Sequence, residues 1–433
     1  MPNNDSSTSS ITESTSLLGS ERGAKADPKA ESWSDLKPYI WPLISSNIIT
    51  VMAGLNDGTF GVMIPRLKEH YDISNSTVSL LFLFNAIGFF ISGFLNGFIV
   101  KHIGQRATVY TASISLMIVY LFALTGQRFE IMLGLMVFQG GSISLLDAAV
   151  NVYTANVPMA TLMLNILHAN YGVGAMISPL VGTAFLVRNI TWRAVYGFLA
   201  GAAFLNILSV MIGFSGTNME QPNEHEIEDD DTDELPKARI AIPSHPIRNS
   251  VTLLSAGYIL IYVGVEIIMG GWGYTFLTEG RHGDKEMMGH VTAGYWAGLA
   301  IGRLVLGYLA GRLGEKRTIT ALTITGGVVL IIFGYAESIV IDSIALVTIG
   351  FLIGPMFPTT ISLVSQLLPR HIHATSIGFI SAIGASGAAV LPYGAGLIAD
   401  QYGILSIPLV CFVMLATMQL MWTFVPNPQT INI

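Results

Sequence analysis

Charge is what this chain has least of. Asp, Glu, Lys and Arg make up 11% of its 433 residues, against roughly 25% in a soluble domain. With 52% hydrophobic residues and a mean hydropathy of +0.59, it could not cover its apolar surface in water, so the surrounding medium must be lipid. Cysteine is scarcer still: Cys411 stands alone, which excludes an intrachain disulfide and a cysteine-built metal site. The G-x-x-x-x-G-K-[ST] phosphate loop, the H-E-x-x-H zinc helix and the G-x-S-x-G nucleophile elbow are all missing. No ATPase, enzyme activity, cofactor or metal is therefore expected. The first ~35 residues lack the apolar core of a cleavable signal, so the first span is expected to serve as the targeting signal.

What the chain has is long apolar runs. Segments able to cross ~30 Å of hydrocarbon fall near 40–65, 77–100, 107–126, 130–156, 161–187 and 193–215. A second set follows near 250–278, 288–311, 317–336, 339–366, 373–399 and 404–425. Twelve transmembrane helices in two six-helix halves are predicted, an all-α membrane fold. The expected division is a cytoplasmic tail at 1–38, a half at 39–216, an acidic linker at 217–248, a half at 249–426 and a tail at 427–433. Much of the net charge of −7 sits in the run from Glu224 to Glu234, a solvated linker by composition. Nothing suggests a nucleic-acid partner.

The halves echo each other. Gly174-Ala175-Met176-Ile177-Ser178-Pro179 matches Gly387-Ala388-Ala389-Val390-Leu391-Pro392, and GFIVKHIGQR from Gly97 matches GYLAGRLGEK from Gly307. Gly54 aligns with Gly264, and Pro158 with Pro369, so all four matches share an offset of 210–213 residues. Unrelated matches would not agree so closely, and a duplication is inferred.

Cations crowd the segments on one side (Lys101, Arg106, Lys237, Arg239, Arg312, Lys316 and Arg317 among them). They thin out in the opposite loops, at Arg66, Lys68, Arg128, Arg188, Arg193, Arg281 and Lys285. That bias puts both termini and the linker in the cytoplasm. The sequons at Asn75 and Asn189 fall in the outer loops, where a glycan could be added. Glu13-Ser14-Thr15-Ser16-Leu17-Leu18 resembles an acidic dileucine sorting signal, which leaves plasma membrane and a vacuolar or lysosome-like membrane both open.

Ionisable residues interrupt the apolar runs at Asp57, Asp147, His168, Glu266 and Arg303. A carboxylate in a bilayer costs about 2.5–3.5 kcal/mol even on a lenient scale, and it survives where it faces a protein-lined cavity or a proton path. Asp147 and Asn151 share one helical face, as do Asn165 and His168. Such amides and carboxylates suit a hydroxyl-rich ligand, although an interhelical bond from Asp147 to His168 would account for them structurally. Asp57, with Asn56, is expected either to face the cavity or to cap a kink. Glu266 precedes Gly270-Gly271-Trp272, where the glycines could break the helix and the indole could stack on a sugar ring or merely mark the interface. Arg303 is expected to neutralise Glu266. Because burial disfavours a charged carboxyl, an acid that alternates between water and a dry interior can load a proton on one side and release it on the other. His168 could relay or sense that proton.

Two six-helix halves, the linker and the Gly-rich loops after the second and eighth spans resemble the major facilitator superfamily. Gly97, Gly104 and Arg106 fit its loop motif in the first copy; Gly307, Arg312, Gly314 and Lys316 fit in the second. Lys101 and Gly311 replace the motif's acid. Within the superfamily the chain is similar to the fucose–galactose–glucose:proton symporters, on Leu164 to Ala175, Tyr262 to Glu266 with Gly270-Gly271-Trp272, and Tyr295 to Leu299 with Gly302-Arg303. The resemblance implies a monomeric secondary transporter whose halves rock about a central site. It implies proton coupling and sugar recognition at Asp57 and Asp147. The residues themselves add Glu266 and His168 as coupling candidates, and a polar solute, a sugar before others by resemblance, is expected at these four with Asn56, Asn151, Asn165 and Trp272. Antiport of another organic solute and a non-transporting sensor or scaffold are the competing expectations.

Overall fold

In a bilayer the backbone must satisfy its own hydrogen bonds, so helices follow from the apolar runs. A computed structural model describes residues 33–215, 249–368 and 372–427. The dileucine-like segment, the acidic linker, Pro369 and Arg370 lie outside these. The first half holds α1 (Ile40–Tyr71), α2 (Asn75–Ile103), α3 (Gln105–Leu124), α4 (Phe129–Ala155), α5 (Ala160–Val187) and α6 (Arg193–Gly213). The second holds α7 (Ser250–Thr275), α8 (Lys285–Leu313), α9 (Glu315–Tyr335), α10 (Ile339–Ile353), α11 (Met356–Leu367), α12 (His373–Tyr402) and α13 (Ile407–Phe424).

Among the described residues, 11 helical stretches are long and apolar enough to cross a membrane, with α10 and α11 counted as one. The twelfth expected span is α8. Its 29 residues reach ~43 Å at 1.5 Å per residue, ample for a crossing, but it carries Arg303 and a polar first turn. Two expectations of helix continuity need correction. α7 runs unbroken through Gly270 and Gly271, because the missing side chains admit the Trp296 ring against Gly270 and Phe82 against Gly271. The interruption lies instead in the tenth span, at Gly354-Pro355, between α10 and α11. Proline there has no N–H to donate and its ring opposes the preceding turn.

The repeated motifs do the same job in each half. Gly104 and Gly314 close α2 and α8 with φ of 82° and 98°, a conformation glycine adopts without a Cβ penalty. A Cβ on Gly174 would strike the Val51 carbonyl, and one on Gly387 the Leu260 carbonyl. The glycine of each GAxxxP motif therefore lets one helix lie directly on another, α5 on α1 and α12 on α7.

The two halves meet along α1 with α7, α2 with α12 and α5 with α8. At the predicted outer end, Lys68 Nζ lies 2.7 Å from a Glu279 carboxylate oxygen, and Ser76 Oγ donates to Asp400 at 2.8 Å. Nearby, Gly396 lies against the Ser79 side chain. At mid-depth Arg303 of α8 reaches α5.

Candidate functional site

Asp57 sits on the stretch of α1 that Gly54 and Gly58 bring against α5. There the Tyr171 hydroxyl donates to its Oδ2 at 2.7 Å, and Asn56 Nδ2 donates to its Oδ1 at 2.9 Å. Asn56 is itself held, its Oδ1 accepting from Tyr120 of α3 at 2.9 Å. Asp57 thus has hydroxyl and amide donors and, among the described residues, no ion-pair partner within 4.0 Å.

Across the seam, Arg303 Nη2 lies 2.9 and 3.1 Å from the two oxygens of Glu266 and 3.5 Å from the Tyr262 hydroxyl. The expected pair is present and buried, with side-chain exposures of 12% and 5%. Arg303 also belongs to the other half: Nη1 donates to the His168 carbonyl at 3.4 Å, and the guanidinium lies 5.7 Å from the Tyr171 ring centroid. A single chain of polar contacts therefore runs from Tyr120 through Asn56, Asp57, Tyr171 and Arg303 to Glu266, crossing between the halves at mid-depth.

Asp147 stands beside this chain. Its Oδ1 accepts from Asn151 at 2.9 Å, and it borders a small cavity with Thr50, Ala53 and Ile143 between α1 and α4. It is near enough to Asp57 for their charges to interact. The interhelical bond to His168 is not formed; the His168 ring instead faces Phe357 of α11, centroids 6.3 Å apart. Asn165 is exposed, and the amide that crosses between helices is Asn170, donating to Asn47 at 2.6 Å. Trp272 offers no open face here. It is fully buried, its Nε1 donates to the Pro392 carbonyl at 3.2 Å, and Phe82 packs beside it. A further acid, Asp342, is neutralised by Arg281 Nε at 2.8 Å near the predicted outer end. Of the two sequons, Asn189 is exposed in a turn with φ of 57°. Asn75 opens α2, and its side-chain oxygen is buried.

The residues that reading the sequence missed are mostly tyrosines. Tyr120, Tyr171 and Tyr262 count as apolar in a search for spans, so their hydroxyls go unseen. Helical spacing was the available signal, because Tyr171 lies three residues after His168 and therefore on its face.

Comparison with known proteins adds family and fold. The profile described as Major Facilitator Superfamily matches residues 47–253 and 254–432. The chain is 28% identical over 417 residues to "Bypass of stop codon protein 6" of Saccharomyces cerevisiae, covering 89% of this chain and 82% of that one. It is 23% identical over 411 residues to a "Glucose/galactose transporter" of Brucella abortus, covering 90% and 96%. Among solved structures, a bacterial homologue of the human lysosomal transporter Spinster, in an inward-facing and occupied conformation, superposes with a TM-score of 0.69. It is 13% identical, and the match covers 90% of this chain and 97% of that one.

Proposed function

The chain belongs to the Major Facilitator Superfamily and is a multi-pass membrane transporter, and we propose that it moves a small polar solute, a sugar before others, together with a proton. The observation that carries the reading is the polar chain from Asp57 to Glu266, because it joins an acid without a counter-ion in one half to a neutralised acid in the other. A solute bound between the halves meets donors and acceptors from both, which gives it a different fit in each rocked state. Asp57 is the coupling acid, with Asp147 as its neighbour on the same side. Glu266 and Arg303 form the fixed wall; Asn56, Asn151 and His168 complete the polar lining. Trp272, buried against Phe82 and bonded to the Pro392 carbonyl, has a packing role and does not meet the solute. The likeness to a glucose/galactose transporter supports a sugar over other solutes. The cation bias supports cytoplasmic termini, and with them Asn189 as the outer glycan acceptor.

A second reading has its own observation. Among the described residues Asp57 and Asp147 both lack an ion-pair partner, so an organic cation could exchange against protons at the same place.

The test is uptake by proteoliposomes under an inward proton gradient, offering D-glucose, D-galactose and a panel of polyols, nucleosides and organic cations. Proton-driven accumulation of a hexose, abolished by Asp57→Asn, is the expected result. Gradient-driven efflux of a cation would establish the second reading. Folded protein that moves nothing on the panel would favour the sensor.

A further inference from the structure

Tyr171 is the link in the central polar chain that joins Asp57 to Arg303. Its hydroxyl donates to Asp57 at 2.7 Å, and its ring lies under the Arg303 guanidinium, 5.7 Å from centroid to Cζ. The ring also meets Trp296 of α8 edge-on at 6.3 Å, and next to it a Cβ on Gly172 would collide with Ala300. The tyrosine is therefore clamped in the α5–α8 seam, where the two halves must slide if the molecule rocks. Arg303 spans that seam, since it holds Glu266 on its own side and the His168 carbonyl on the other.

We infer that Tyr171 is a positioning residue that carries the ionisation state of Asp57 to Arg303, and through Arg303 to the hold between the two halves. The inference rests on the reading of Asp57 as the coupling acid. With Asp57 ionised, the hydroxyl makes a charge-assisted bond, roughly twice as strong as a neutral one, and feeds electron density into the ring. A cation over that face is then held more firmly. When Asp57 takes a proton the bond becomes neutral and the ring's pull weakens, so across the seam Arg303 is left with its long bond to the His168 carbonyl, while Glu266 and Tyr262 hold it on its own side. The seam loosens.

Other titratable groups surround Asp57. Tyr171 and, one turn away, His168 approach on α5; Tyr120 reaches it through Asn56 on α3, with Tyr196 of α6 behind it. Asp147 lies on α4 and Glu266 on α7, both within range of its charge, and Arg303 is on α8. Of these, Tyr171 both bonds to the carboxyl and faces the cation.

The experiment uses the proton alone, without solute. Spin labels at Thr125→Cys and Glu337→Cys, exposed at the predicted outer end of opposite halves, report the separation of the halves in the full chain reconstituted in liposomes. Between pH 8 and pH 5.5 the ratio of the two distance populations is expected to change at least three-fold in the parent. In Tyr171→Phe, which keeps the ring, the change should fall below about 1.3-fold. Asp57→Asn should hold the acidic distribution at both pH values. A Tyr171→Phe protein that titrates like the parent overturns the inference, and if Asp57→Asn does not titrate it leaves the role of Asp57 intact. Should Tyr171→Phe fail to fold, an Asp57→Asn protein that still titrates like the parent overturns it equally. A parent that does not respond to pH overturns it as well.

Discussion

The two halves share a frame and differ in what they do with charge. α1 against α5 and α7 against α12 are held by the same glycines, yet Glu266 lies 210 residues after Asn56, an amide, and Arg303 lies 210 after Gly93. Among the described residues, the acids Asp57 and Asp147 within the spans of the first half therefore have only hydroxyl and amide partners, while the second half carries an acid already bound to a guanidinium. The backbones diverge as well: α4 is continuous, whereas the corresponding span is split into α10 and α11 at Gly354-Pro355. A duplicated scaffold has thus been divided between a half suited to gaining and losing a proton and a half suited to holding still. That division is open to direct test.

The largest effect is expected from Arg303→Ala. Glu266 is 4% exposed, and severing a buried pair on one side costs about 3–5 kcal/mol because the other charge is orphaned. Abundance and melting temperature should both fall, as read by size-exclusion chromatography and thermal melts of a fluorescent fusion. Arg303→Ala with Glu266→Gln should recover much of the loss. If the double variant melts as low as the single one, the pair is not what fixes the second half.

Next come the matched glycines. Gly174→Ala and Gly387→Ala each push a methyl into a facing carbonyl, and overpacking of this kind costs about 1–3 kcal/mol. Similar losses in the two variants would express the shared frame; a large loss in only one would break the equivalence of the halves.

These contrasts were unevenly legible in the sequence. The frame was readable because glycine at a repeated offset has a single physical meaning, a close approach or a turn, and both Gly174 and Gly104 have it. The Glu266–Arg303 pair was readable too, since one buried cation must have a partner. The joint between the halves was not. It depends on which face of α5 turns toward α8, so Asn165 reads as a site residue although it is exposed, and Tyr171 is masked by its apolar ring. The Gly-Gly step in α7 reads as a weak point, whereas the Gly-Pro step after α10 falls inside a single expected span. Only the second breaks, because proline removes a donor whereas two glycines can be packed over by Trp296.

Asp147→Asn is expected to shift stability by less than about 1 kcal/mol, since an amide of the same shape can keep the Asn151 contact. Proton-driven accumulation should nevertheless fall several-fold in the proteoliposome assay. Untouched accumulation would reduce the acids that matter in the first half to Asp57 alone.

The smallest effect tests the edge of the comparison, where the halves touch outside the site. Lys68 and Glu279 close the predicted outer end beside a cleft of about 330 Å³ lined also by Arg66, Glu69 and Lys285. Glu279 is 38% exposed on its side chain, so solvent screens the pair to about 0.2–1 kcal/mol. Glu279→Gln should leave the melting temperature nearly unchanged, yet a free energy of that size, spent on one end of a rocking molecule, shifts the balance between its two states by about 1.4- to 5-fold. The readout is labelling of a cysteine placed at Thr278, which lines the cleft, by a membrane-impermeant maleimide. Faster labelling in Glu279→Gln would mean that this ion pair helps hold the outer end closed; an unchanged rate would assign the closure to the apolar and glycine contacts beneath it, Gly61 on Gly270 and Ser79 on Gly396.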